Sequence, residues 1–195
     1  MPLSRGGARE PGMGRAVVLA PAKVNLGLEV LGKRPDGYHE IAGILQALRL
    51  ADTVTLTLTS GPGIDLCVRP AGLDLGPSER NLAVRAAELV PALRGQPPGV
   101  AITLVKRIPV GAGMGGGSAD AAAVLLGLGL LRRGGIPIER LEDLGASLGS
   151  DVPFFFRGGT QLVTGRGERL RPAPPWPGCH LVVAHPNRPL STATI

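Results

Sequence analysis

The chain has 195 residues, 44% of them apolar but only 3% aromatic, which excludes a disordered polymer and requires a core of Val, Leu, Ile and Ala. No apolar run reaches the length of a membrane span, so a soluble protein is expected. Cys67 and Cys179 are too few for a disulfide framework and read as two buried thiols in a reducing compartment, the cytoplasm. The net charge of +6 points to an anionic ligand. The arginines are scattered, however, with few aromatics among them to stack on bases, so nucleic acid is not expected as a partner.

Met1 to Arg15 is rich in Gly, Pro and Arg and lacks an apolar stretch. It reads as a tail and not a secretory leader, with an organelle transit segment as the alternative. Val17–Ala20 and Pro21–Leu31 read as one or two strands broken at the proline. Val24, Leu26, Leu28 and Val30 alternate there with Lys23, Asn25, Gly27 and Glu29, giving one apolar and one polar face. Arg34-Pro-Asp-Gly37 is a turn, and Ile41, Ile44, Leu45 and Leu48 are spaced as a short helix face. Val54–Leu58 and Ile64–Val68, on either side of Gly61-Pro-Gly63, predict a β-hairpin. A helix follows through Leu82, Ala86, Leu89, Val90 and Leu93, with Ser78 as its cap and Pro91 near its end, and then a strand over Val100–Val105.

The most informative stretch is Pro109-Val-Gly-Ala-Gly-Met-Gly-Gly-Gly-Ser-Ala119. Five glycines between Gly111 and Gly117 supply backbone freedom and close approach, not packing. A helix starting near Ser118 would aim unpaired N–H groups and a dipole worth about half a positive charge at the loop, a seat for phosphate. Gly111 to Gly116 has Walker A spacing, but Gly117 stands where the lysine belongs. Gly111, Gly113 and Gly116 satisfy the dinucleotide pattern, yet Lys106–Val110 separates them from the strand and no acid ends a following strand. A glycine-rich connector remains the bland alternative.

Ser118–Arg133 is apolar on nearly all sides, the mark of a buried helix. Gly127 and Gly129 within it cost about 1 kcal/mol each against alanine and need compensating packing. Pro137 opens another helix, with Ile138, Leu141, Leu144 and Leu148 on one face and Gly149 at its end. Short strands are expected around Phe154–Phe156, Gln161–Val163 and Leu181–Ala184, and Arg171–Gly178 reads as a linker. His180 and His185 lack metal-ligand spacing and read as structural.

Four ordered motifs carry a resemblance: Pro-Ala-Lys-Val-Asn-Leu at 21–26, Arg-Pro-Asp-Gly-Tyr-His at 34–39, the glycine loop, and Gly-Ser-Asp-Val-Pro at 149–153. Together they resemble the GHMP small-molecule kinases over about residues 16 to 190, with Met114 at a loop position where leucine is more usual. The resemblance implies an α+β fold, a GHMP kinase N-terminal domain of the ribosomal protein S5 domain 2-like α/β sandwich type. It implies a tail over 1–15, an ATP-binding and catalytic domain over 16–170, and over 171–195 a linker with only the start of a C-terminal domain. ATP is implied to sit on Pro109, Val110, Gly111, Ala112, Gly113, Met114, Gly115, Gly116, Gly117, Ser118 and Ala119, with Mg²⁺ accompanying it.

Asp151 matches the family's catalytic aspartate and Lys23 its partner lysine. Read alone, Asp151 could cap a turn and Lys23 could be a solvated charge. Through the Tyr-His pair the resemblance implies a cytidine-linked acceptor, CDP-methylerythritol, phosphorylated on its 2-hydroxyl on the methylerythritol phosphate route to isoprenoids. Tyr38 would stack on the cytosine, His39 bond its edge and Asn25 help hold the substrate, against local packing at a helix start as the alternative for the pair. Lys106 is placed near the nucleotide. The expected assembly is a monomer or weak homodimer without a membrane partner. The other readings are a different GHMP kinase, or a nucleotide-binding module with little activity.

Overall fold

The computed structural model describes residues 14–90, 99–131 and 135–185. Within these residues six strands form one mixed sheet, β1 (Arg15–Lys33), β2 (His39–Thr59), β3 (Ile64–Arg69), β4 (Gly99–Val105), β5 (Thr160–Gly165) and β6 (Arg169–Pro172). The long β2 is its spine. β1 runs antiparallel along the whole of it, from Arg15 opposite Thr57 to Lys33 opposite His39. The other edge of β2 is shared: β5 pairs with Ile41–Gln46, and β4 with Thr53–Thr59. Between those two partners β2 leaves a gap, and the start of the glycine loop sits at its edge, Ile108 N donating to Asp52 Oδ1.

Among the described residues four helices, α1 (Leu82–Leu89), α2 (Gly116–Leu131), α3 (Ile138–Leu148) and the short α4 (Phe154–Arg157), accompany the sheet. The core joins alternate strand residues, among them Ala20, Val54, Leu56, Ile102 and Leu104, to Ala122, Val124 and Leu125 of α2. The same alternation leaves Val17 and Leu19 exposed on the opposite side of β1. Helix α2 is apolar all round because strands lie against one side and α1 and α3 against others, as the sequence required. Its Gly127 is a close-approach site: a Cβ there would come within 2.4 Å of Leu56 Cδ1. Gly129 likewise faces Leu141, at 3.1 Å. Packing thus compensates both glycines for their poor helix propensity.

Several expectations are corrected. Residues 39–48 form the first half of β2, not a helix. β1 and β5 hydrogen-bond both edges of the segment, and this pairing overrides the 3–4 spacing of its isoleucines and leucines. The predicted hairpin is absent because β4 inserts between β2 and β3, pairing antiparallel with β2 and parallel with β3. The link from β3 to β4 therefore carries α1, as a parallel pair requires.

Asn81, and not Ser78, caps α1: its side chain accepts from Ala83 N at 2.9 Å, while Ser78 begins a 3₁₀ turn, Ser78–Arg80. Phe154–Phe156 is helical, Leu181–Ala184 lies outside any strand, and β6 occupies the start of the expected linker. Both cysteines are exposed, not buried. Helix α2 ends at Leu131, and Leu93, Arg132 and Arg133, expected in helices, lie outside the described residues, as does Met1 to Met13 of the expected tail.

Candidate active site

The glycine loop leaves β4 and enters α2 through three residues at positive φ, Gly111, Gly113 and Gly115, at 72°, 70° and 71°. Only glycine takes this conformation at little cost. Helix α2 starts at Gly116, two residues earlier than expected, and its first ladder bond runs from Ala119 N to Gly115 O at 2.8 Å. The N–H groups just before Ala119 therefore have no partner within the helix, and the positive end of its dipole lies at the loop. The loop borders a cavity of about 470 Å³ that is also lined by Asp74, Arg80, Asn81, Lys106 and Asp120.

Met114 pins the loop from below. Its side chain is buried in a small apolar cluster with Ala22 and Ile108, and its carbonyl accepts from Lys23 N at 3.0 Å. The centre of the loop is thereby tied to β1 at the residue where the lysine projects. Gly115 completes the contact, since a Cβ there would stand 2.7 Å from the Phe155 ring and 3.1 Å from Lys23 Cγ.

The Lys23 side chain is 8% exposed, so it is not the solvated charge of the bland alternative. Its Nζ donates to Asn25 Oδ1 at 3.1 Å and lies 3.7 Å from Asp151 Oδ2. Asp151 stands in the turn between α3 and α4, closed by Val152 N donating to Gly149 O at 3.2 Å. Its carboxylate is 40% exposed. Flanking Val152 and Phe154, both fully buried, fix the turn while the carboxylate stays open to the surface. Lys23, Asn25, Asp151 and the loop are thus brought together from β1, the α3–α4 turn and the β4–α2 connection.

Tyr38 closes the predicted turn, Arg34 N donating to its carbonyl at 2.8 Å and its own N–H to Asp36 Oδ1 at 3.2 Å. Tyr38 is 54% exposed, and the Arg166 guanidinium lies over its ring, 4.7 Å from the centroid. The next residue, Gly167, faces Ser150 and Ile41, whose nearest atoms would stand 3.6 and 3.8 Å from a Cβ placed there. The β5–β6 turn therefore spans from Tyr38 to the residue before Asp151. His39 opens β2, exposed and opposite Lys33 in the ladder.

A buried ionic cluster under the loop is the part that sequence reasoning missed. Lys106 Nζ pairs with Asp52 Oδ2 and, at 2.6 Å, with Asp120 Oδ2. Asp52 Oδ1 accepts from the backbone of Arg107 at 2.5 Å and of Ile108 at 2.9 Å. Burial pushes the Asp120 carboxyl up to about 6, against the lowering influence of Lys106. One signal was present in the sequence: Asp120 is the single charged residue in an otherwise apolar helix.

Residues 81–159 match the family described as GHMP kinases N terminal domain, the span from the cap of α1 through the glycine loop and Asp151 to the turn after α4. Two kinases of the same fold, homoserine kinase from Cytophaga hutchinsonii and mevalonate kinase from Methanococcus jannaschii, superpose with TM-scores of 0.58 and 0.59 at 20% and 16% identity, covering 82% and 83% of this chain and 51% and 56% of theirs. The chain carries a GHMP kinase N-terminal domain.

Its curated relatives at higher identity are 4-diphosphocytidyl-2-C-methyl-D-erythritol kinases. That of Geobacter sulfurreducens is 45% identical over 183 residues, 94% of this chain and 65% of the relative. That of Synechococcus sp. strain JA-2-3B'a(2-13) is 50% identical over 177 residues, 90% of this chain and 55% of the relative. A crystal structure of 4-(cytidine 5'-diphospho)-2C-methyl-D-erythritol kinase is 46% identical, with a TM-score of 0.66, covering 81% of this chain and 55% of that one. The chain thus spans between about half and two thirds of the length of these relatives.

Proposed function

We propose that these residues form the nucleotide-binding and catalytic part of an ATP-dependent kinase that phosphorylates the 2-hydroxyl of 4-diphosphocytidyl-2-C-methyl-D-erythritol, in isoprenoid biosynthesis. The observation that carries the reading is the Lys23 junction. One residue gives its backbone N–H to the glycine loop and its ammonium to Asp151, 3.7 Å away, so the phosphate seat and the base are held on one strand.

Phosphoryl transfer needs positioning, neutralisation of spread negative charge and a group to accept the hydroxyl proton. In this reading the glycine loop and the first N–H groups of α2 hold the nucleotide phosphates. Asp151, with the Lys23 ammonium 3.7 Å from its carboxylate, takes the proton of the acceptor hydroxyl. The acceptor oxygen bonds to the γ-phosphorus as the bridge to the β-phosphate breaks and ADP leaves. Lys23, desolvated by its burial, stabilises the negative charge on the transferring group. Tyr38 offers the cytosine the ring face away from Arg166, and Asn25 and His39 offer it and the polyol polar contacts.

No group of three or more His, Cys, Asp or Glu that could hold a metal ion occurs among the described residues. They form no magnesium cage, and Mg²⁺ would enter bound to the phosphates of ATP, which is its usual mode in phosphoryl transfer.

The test is a coupled ADP-release assay with CDP-methylerythritol, mevalonate and homoserine as acceptors, run on this chain and on the Geobacter sulfurreducens relative. Turnover is expected with the cytidine-linked acceptor alone; phosphorylation of another acceptor in its place overturns the substrate assignment. Asp151→Asn should lower kcat by about 10²–10⁴-fold while an ATP analogue still binds, and unchanged turnover would remove the aspartate from the chemistry.

A further inference from the structure

The ladder between β2 and β4 ends at the pair Thr53 and Val105. Asp52 is the first β2 residue beyond it, and Lys106 the first residue past β4. With no strand left to pair with, the backbone of Arg107 and Ile108 donates to the Asp52 carboxylate, and Lys106 turns its ammonium inward to the same group. That ammonium also reaches Asp120, in the opening turns of α2. One cation therefore joins the entry of the glycine loop to its exit. All three side chains are at most 6% exposed.

Stability alone does not account for this arrangement. Two carboxylates share one ammonium, and Asp120 Oδ1 is buried with no hydrogen-bond partner among the described residues. A buried charge cluster with an unsatisfied oxygen is commonly no more stable than an apolar replacement. Placing an excess of negative charge beneath a phosphate seat would also weaken anion binding unless the cluster did something else for the site. Lys106 and Asp120 both line the cavity, yet the ammonium is engaged by two carboxylates and so is not free to act as the missing Walker lysine. The attraction for phosphate then rests on Arg80, which lines the same cavity, and on the backbone N–H groups of the loop, whose strength depends on their aim.

We infer that Asp52, Lys106 and Asp120 are positioning residues of the nucleotide site: the buried ammonium sets the entry of the loop against the first turns of α2, so that the N–H groups of both converge on the phosphates. The inference rests on the reading of this cavity as a nucleotide site. Its structural part, the hold on the loop, can be measured without nucleotide.

Asp120→Asn is the informative change, because it keeps the Lys106–Asp52 pair and removes the costly charge. Three quantities are read on the full chain at pH 7.5: melting temperature, affinity for AMP-PNP with Mg²⁺, and amide hydrogen exchange over residues 109–118 without nucleotide. The variant should melt at or above wild type, bind AMP-PNP about 5- to 20-fold more weakly, and exchange several-fold faster in the loop. Lys106→Met should exceed it in both loop exchange and loss of affinity; should it fail to fold, Asp120→Asn decides alone. Wild-type affinity and wild-type loop exchange in Asp120→Asn overturn the proposal, as does weaker binding with a melting temperature lowered in step, the mark of a merely structural residue. Faster loop exchange in a chain whose wild type fails to bind AMP-PNP supports the positioning role and instead defeats the nucleotide reading.

Discussion

At the scale of single residues, two groups at the loop make opposing demands on stability. Gly115 has positive φ and faces Phe155 and Lys23 with no room for a methyl group. Gly115→Ala should therefore cost at least about 1–2 kcal/mol in urea unfolding and displace the lysine, with kcat falling at least about tenfold. Asp120 behaves differently. Its folded-state pKa, raised to about 6 by burial, lies above the unfolded value. Its favourable contribution is therefore complete only under acid and is lost as pH rises through about 6. At neutral pH the ionised group costs on the order of 3 kcal/mol. The stability gain of Asp120→Asn over wild type should consequently be small at pH 4.5 and large at pH 7.5 in parallel denaturation curves; a pH-independent difference would contradict the assignment.

The loop, α2 and α3 were legible in the sequence because glycine clustering, an all-round apolar run and a Pro-to-Gly frame are local signals. The ionic cluster was not, since Asp52, Lys106 and Asp120 are up to 68 positions apart and meet only once β4 has joined β2.

At the scale of elements, α1 is the part whose cap also borders the site. Asn81 accepts the Ala83 N–H and lines the cavity. Asn81→Ala should lower stability by about 1 kcal/mol in thermal or urea unfolding, whereas Asn81→Ser should recover most of it. The misread element, residues 39–48, teaches the opposite lesson. Ile41, Ile44, Leu45 and Leu48 fit a helical stripe by spacing, but residues 40–48 are at least partly buried on both faces of the strand. With neither face left to solvent, the apolar–polar alternation that would have announced β2 is blurred.

At the scale of the whole molecule, α2 and the sheet share one core in which Leu56 packs closely against Gly127. Leu56 is fully buried. Leu56→Ala should cost about 2–5 kcal/mol by chemical denaturation, and because Asp52 and Asp120 flank the same strand–helix contact, nucleotide affinity should fall as well.

The sequence by itself determined the loop and the helices that follow it, because each rests on residue types in short, ordered spacings, whereas the pairing of Lys23 with Asp151 was implied only by the resemblance of the motifs that hold them. Tertiary structure decided what those spacings cannot carry. The insertion of β4 between β2 and β3, the conversion of residues 39–48 into strand, and the burial of Lys106 between two aspartates all come from long-range pairing, where the free energy of shared hydrogen bonds and excluded water outweighs local propensity.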